Sequence, residues 1–308
     1  MIRLDDHRLI GTPFIAQRFW MLDTETNEGI DAGRAATKCG EVILLWNMNG
    51  KVYMASYTEG MLTEYNPNKL ISFPENPHIV AQAPGGMRPV ADTQDEKCLY
   101  YSSNHKYGIL GCVLTRFNTE TGEAFYHDNP IDYENIIALV YDKKTDCIFA
   151  STTYRSDCDV SEPKSDVCHL LKIDKNSLQI TNQITLPMGT VFSYLIGSVD
   201  ENNYLLSLVD KEDKHRICLF NTENQKVVEI GETYFEDYSI KQLKYAKKQG
   251  YFIALSNDNS ISLWHFENNA LKKEKDLLKE DGIYCIFPED NGVLAANASH
   301  VFEIKDIF

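Results

Sequence analysis

The side chains with the most chemical reach in this 308-residue chain lie outside its regular hydrophobic runs. They are Arg34, Arg88 and Arg155, the histidine His105, and the tyrosines Tyr57, Tyr107, Tyr133, Tyr154 and Tyr238. A guanidinium grips a carboxylate or phosphate through paired hydrogen bonds, and tyrosine adds an apolar face tipped by a hydroxyl. Such a set suits a pocket for an anionic or glycan-like ligand. Among the histidines, His105 is the one placed to act as a base. Acids share these segments: Glu41, Glu59, Asp132, Glu134, Asp157, Asp159, Glu236 and Asp237. Converging carboxylates could hold Ca²⁺ or serve as acid and base. No Asp-x-Asp-x-Asp-Gly spacing supports this, and a solvated acidic surface is the plainer expectation. The eight histidines form no His-x-His or His-Glu-x-x-His pair. Gly85-Gly86 is a lone turn signal, and no Gly-x-Ser-x-Gly elbow occurs. No cofactor or metal is therefore expected, and no catalytic constellation stands out.

Composition narrows the partners. Thirty Lys and Arg against 45 Asp and Glu give a net charge of −15, which disfavours nucleic acid and favours a basic protein surface. No run approaches the roughly 20 apolar residues of a bilayer span. The opening residues Met1 to Arg8 include two acids and no apolar core of a secretory signal, so a cytoplasmic location is expected. Eight cysteines include no Cys-x-x-Cys pair. Five of them sit in or beside apolar runs, where a free thiol acts as a small hydrophobe. Cys158 and Cys168 bracket one segment and are the pair to suspect of bridging; reduced thiols are the general expectation.

The elements that must position these residues show as a repeat. A strand ending in an aromatic or aliphatic residue and then Asp or Asn closes at positions 23, 66, 118, 174 and 221, with degenerate copies closing at 265 and 305. Tight turns follow, as in Asp23-Thr24-Glu25-Thr26-Asn27 and Asn118-Thr119-Glu120-Thr121-Gly122. Asp or Asn opens such a turn because its side chain bonds the backbone two residues on. Before each copy lies a strand with a small residue near its middle, such as 51–56, 146–151 or 250–255. Before that lies another, such as 41–46, 136–141 or 240–245, and a shorter strand such as 227–230 follows the turn. Four short antiparallel strands repeating about every 40–56 residues predict an all-β, seven-bladed β-propeller of four-stranded blades, with six as the rival count. The approximate blades are 1–35, 36–80, 81–130, 131–187, 188–233, 234–278 and 279–308, forming one domain or part of a larger protein. The last unit has three strands, and its outer strand is expected from the N-terminal segment or from beyond this stretch.

The Asp/Asn-x-x-Thr-Gly/Asn turns resemble those of the broad WD40-like and YVTN-like propeller group, with the lactonase-type propellers as cousins. The Gly-His and Trp-Asp dipeptides of true WD40 blades are absent. The segments 87–91 and 107–111 are similar to ones in bacterial propellers to which no activity is attached. The resemblance implies a fold and no single function, because propellers host binders, scaffolds and enzymes.

With strands labelled a to d in each unit, the a–b and c–d links read as mostly short. The b–c and d–a links read as long: 32–40, 74–87, 104–111, 128–135, 154–167 and 233–239. Long links on a rigid frame are where binding normally resides, and they carry or adjoin the candidate residues named above. The expected function is non-catalytic binding of a ligand or protein partner. The alternative is a lyase or lactonase-type enzyme acting on an anionic sugar at the channel mouth through His105, Arg88 and a tyrosine.

Overall fold

The computed structural model describes residues 1–13, 16–231 and 240–308, and these hold strands, turns and a single 3-10 turn. Two compact units divide the chain, residues 1–188 and 189–308.

Residues 1–188 form four successive antiparallel sets. The first is β1 (Ile2–Arg3), β2 (Arg8–Gly11), β3 (Arg18–Asp23) and β4 (Glu28–Arg34). The second is β5 (Glu41–Met48), β6 (Lys51–Tyr57), β7 (Met61–Tyr65) and β8 (His78–Gln82). The third is β9 (Arg88–Gln94), β10 (Cys98–Asn104), β11 (Cys112–Asn118) and β12 (Ala124–Asp128). The fourth is β13 (Asn135–Asp142), β14 (Cys147–Thr153), β15 (His169–Asp174) and β16 (Ile180–Thr185).

Residues 189–308 continue the pattern. One set is β17 (Phe192–Ser198), β18 (Asn203–Val209), β19 (His215–Asn221) and β20 (Lys226–Gly231). Another is β21 (Ile240–Tyr245), β22 (Tyr251–Ser256), β23 (Ser260–Glu267) and β24 (Ala270–Lys279). The last has three described strands, β25 (Cys285–Glu289), β26 (Gly292–Ala296) and β27 (Val301–Lys305).

The repeat read from sequence is the third strand of every set. Its closing residue opens the turn as expected: Asn118 Oδ1 accepts from the backbone N–H of Glu120 at 2.9 Å and Thr121 at 3.0 Å. Asp23 does the same for Glu25 and Thr26, each at 2.9 Å. Gly122 then takes φ +75°, a conformation that costs a residue with Cβ.

Second strands are covered on both faces, which is why β10 (CLYYSSN) and β14 (CIFASTT) are buried throughout rather than at alternate positions. Apolar clusters fill the space between successive sheets. Phe19, Val52, Met54 and Tyr65 join the first two sets, and Tyr53, Leu62, Tyr101 and Phe117 join the second and third. Tyr100, Leu114, Ile148 and Leu171 join the third and fourth. Each fully buried large side chain contributes about 1.5–3 kcal/mol. The fourth strands, such as β16, whose residues are all exposed or half-buried, form the exposed edges.

Several sequence expectations change. The stretch 74–87 is not one link, because it contains β8. The long connection of that set is the c–d link 66–77, folded around buried Asn76. The Asn76 amide accepts from Asn66 N–H at 2.8 Å and donates to the carbonyls of Asn66, Lys69 and Leu70 at 3.0–3.2 Å. The N-terminal strand β1 pairs with β2 inside the first set, so it is not the outer strand of the last. Cys158 and Cys168 form no disulfide; the first is exposed and the second buried.

Candidate functional site

Each four-stranded set runs up and down in sequence order. Its second-to-third links and the connections to the next set therefore share one end of the sheets. In residues 1–188 that end is organised by Arg88, the first residue of β9. Its Nε donates to Asp157 Oδ2 at 3.1 Å, Nη1 to Glu41 Oε2 at 3.2 Å and Nη2 to the Tyr107 hydroxyl at 2.9 Å. The guanidinium also lies 4.2 Å over the Tyr57 ring. Tyr57 and Tyr107 meet edge to face, with their hydroxyls 3.2 Å apart. Burial works against the charge of Arg88. The Tyr107 bond and the Asp157 and Glu41 carboxylates outweigh it and hold the guanidinium above its ordinary pKa. The bond to Tyr107, then burial, pushes the Tyr57 hydroxyl up. Three sequence-selected residues thus meet, but as a tie between loops. Each guanidinium nitrogen and one face already have partners, so Arg88 has little left with which to grip an anion.

His105 is 8% exposed and also serves as a clamp. Its Nδ1 lies 3.1 Å from Gly85 O, and its Nε2 lies 3.1 Å from Asn129 Oδ1 and 3.2 Å from Asp128 Oδ1. Both ring nitrogens face the protein, whereas a general base needs one directed at substrate. Tyr154 is buried, and burial raises its hydroxyl pKa. Arg155 pairs through Nη1 with Asp159 Oδ2 at 3.0 Å, while its carbonyl accepts from Asn135 Nδ2 at 2.7 Å. Arg34 ends β4 exposed and outside the Arg88 cluster. Tyr133 lies 4.8 Å beneath Lys164 Nζ. Tyr238, Glu236 and Asp237 lie outside the described residues.

Glu134, expected among the surface acids, is buried instead. Its Oε1 lies 2.7 Å from His169 Nδ1, and its Oε2 accepts from the Thr152 hydroxyl. Burial pushes its carboxyl above the usual range despite these partners. Among the described residues no group of three or more His, Cys, Asp or Glu is arranged to hold a metal ion.

Sequence reasoning missed two features. The first is apolar: Ile109 (55% exposed) and Val160 (58%) project from links at this end, beside the sequence-selected Tyr107 (47%) and Tyr133 (47%). A Cβ added at Gly108 would lie 3.9 Å from Ser161 Oγ, which places the 105–111 and 154–168 links side by side. Exposed Asp128, Asp132, Glu162 and Asp166 lie on the same links. The available signal was a large aliphatic residue inside otherwise polar or glycine-rich stretches, as in Tyr107-Gly108-Ile109 and Asp159-Val160-Ser161. The second feature is a pocket of about 680 Å³ lined by Thr58, Glu59, residues 82–87 and Lys106.

No protein-family model and no curated protein matches the sequence. Solved structures do resemble it. A candidate 6-phosphogluconolactonase from Bacteroides fragilis aligns with TM-score 0.60 at 10% identity, covering 98% of this chain and 96% of that one. A chain of the mitotic checkpoint complex aligns with TM-score 0.61 at 9% identity, covering 97% and 84%. An oligogalacturonate lyase in complex with manganese aligns with TM-score 0.61 at 12% identity, covering 94% and 82%. Likeness at such identities establishes the fold alone: the chain is a β-propeller, built from repeated four-stranded antiparallel sheets.

Proposed function

We propose that this propeller is a non-catalytic binding protein. Its loop end in residues 1–188 docks a protein segment that carries both basic and apolar side chains. The supporting observation is a division of labour. The groups that could do chemistry, Arg88 and His105, are engaged inside the protein, while Tyr107, Ile109, Tyr133 and Val160 are presented outward. Large apolar side chains grouped on a surface and surrounded by polar residues mark interaction sites. The acids around them and the net charge of −15 favour a cationic partner. One solved neighbour is itself a chain of a multiprotein complex. The lactonase or lyase alternative requires His105 and Arg88 to leave their present partners.

The test is fluorescence anisotropy with a short labelled peptide of alternating Lys and Leu. Saturable binding that weakens as salt rises is expected. The pair Ile109→Ser and Val160→Ser, which removes apolar surface without changing the charge, should lower the affinity about tenfold, or about 1.4 kcal/mol. Absence of binding, or an affinity that the pair leaves unchanged, would reject the proposal.

A further inference from the structure

We infer that the pocket between the 58–60 link, residues 82–87 and Lys106 binds a small zwitterion of short-peptide type, with an ammonium at one end and a carboxylate at the other. This site does not depend on the docking proposal. Its walls are preformed main chain. Gly60 N–H donates to Met87 O and Ala83 N–H to Gly60 O, each at 3.2 Å; Gly86 N–H donates to Ala83 O at 3.0 Å and Met87 N–H to Asn104 O at 2.7 Å. His105 braces the turn at Gly85 O. The close approach requires glycine: a Cβ at Gly86 would lie 2.9 Å from Ala83 Cβ, and Gly60 has φ +56° with its Cβ position 3.1 Å from Gly86 O.

Charge selects the ligand. Lys106 is exposed and, among the described residues, forms no ion pair. Glu59 reaches Lys38 Nζ and Gln82 Nε2 only at 3.5 Å, so its carboxylate retains acceptor capacity. A purely anionic ligand would meet Glu59, and a purely cationic one would meet Lys106. A molecule with both charges satisfies both walls. Between them Pro84 and Gly85 are exposed while Ala83 and Gly86 are buried, which leaves a small uncharged surface between the two charges. The volume of about 680 Å³ lies within the range of small-molecule sites.

Isothermal titration of the intact chain with L-alanyl-L-alanine, its N-acetyl form and its C-terminal amide separates the two charges. The free dipeptide should bind, each capped form should bind at least tenfold more weakly, and Lys106→Glu should abolish dipeptide binding. Glu59→Gln should narrow the gap between the free dipeptide and the N-acetyl form. Thermal melts of both variants should match the wild type, because both side chains are substantially exposed. Equal binding of all three probes, dipeptide binding that survives Lys106→Glu, or no heat with the free dipeptide would overturn the inference. The Lys/Leu peptide titration has no bearing on these outcomes.

Discussion

Residues 1–188 contain two hubs of similar composition at opposite ends of their sheets, and they do different work. At the turn end, Lys175 Nζ lies 3.1 Å from Asp95 Oδ2, 2.6 Å from Asp146 Oδ1 and 5.1 Å from the centre of the Tyr141 ring. Asp95 also accepts from the Tyr100 hydroxyl at 3.0 Å and from the backbone N–H of Lys97 and Cys98 at 2.8 and 2.7 Å. At the loop end, Arg88 gathers Glu41, Tyr57, Tyr107 and Asp157 from three different sheets. The turn hub ties tight links of the third set to those of the fourth. The loop hub fixes long links, and beside its anchor residues those links carry Ile109 and Val160 outward. One hub secures the frame; the other also sets the shape of a surface.

Breaking the turn hub should have the larger effect. Asp95→Ala removes four hydrogen-bonding interactions from a carboxylate whose side chain is only 9% exposed, and should cost about 3 kcal/mol in urea unfolding. A loss below about 1 kcal/mol would show that the hub matters little.

Acid offers a gentler way to break it. Burial raises the Asp95 pKa, but the Lys97 and Cys98 N–H groups, Lys175 and Tyr100 together bring it below its ordinary 3.8. A folded-state pKa below the unfolded one gives stability that is complete above 3.8 and lost as pH falls through the folded value. The difference in urea midpoint between wild type and Asp95→Asn should therefore hold steady from neutral pH to about pH 5 and narrow below 3.8. A gap that closes near neutrality would contradict this assignment.

The loop hub should be weaker thermodynamically. Its carboxylates are partly solvated, at 20% and 17% side-chain exposure, so Arg88→Ala should cost about 1 kcal/mol. Urea midpoints compared with those of Asp95→Ala check the ranking, and an equal or larger loss for Arg88→Ala would reverse it.

The same contrast explains what the sequence reveals. The third strands and their turns are legible because Asn118 or Asp23 bonds residues two and three positions on, an interaction written in local spacing. Strand β8 is obscured because an outer strand is mostly solvent-facing; His78-Ile79-Val80-Ala81-Gln82 buries only Ala81 and carries no strong alternation. Arg88 stands out by residue type, but its partners Glu41 and Asp157 are 47 and 69 positions away. Its role is therefore set by how the sheets assemble. His105 reads as a base until Gly85 O and Asn129 are found against its two nitrogens. Tyr154 shows the same limit, since its burial arises from the packing of a long link that no local period describes.

The most direct test measures affinity for the Lys/Leu peptide in Arg88→Ala and Lys175→Ala, both assayed well below their melting temperatures. Freeing the loop links should weaken binding at least fivefold in Arg88→Ala, about 1 kcal/mol, while Lys175→Ala binds like the wild type. Equal losses in the two variants, or a loss confined to Lys175→Ala, would contradict the assignment of docking to the loop end.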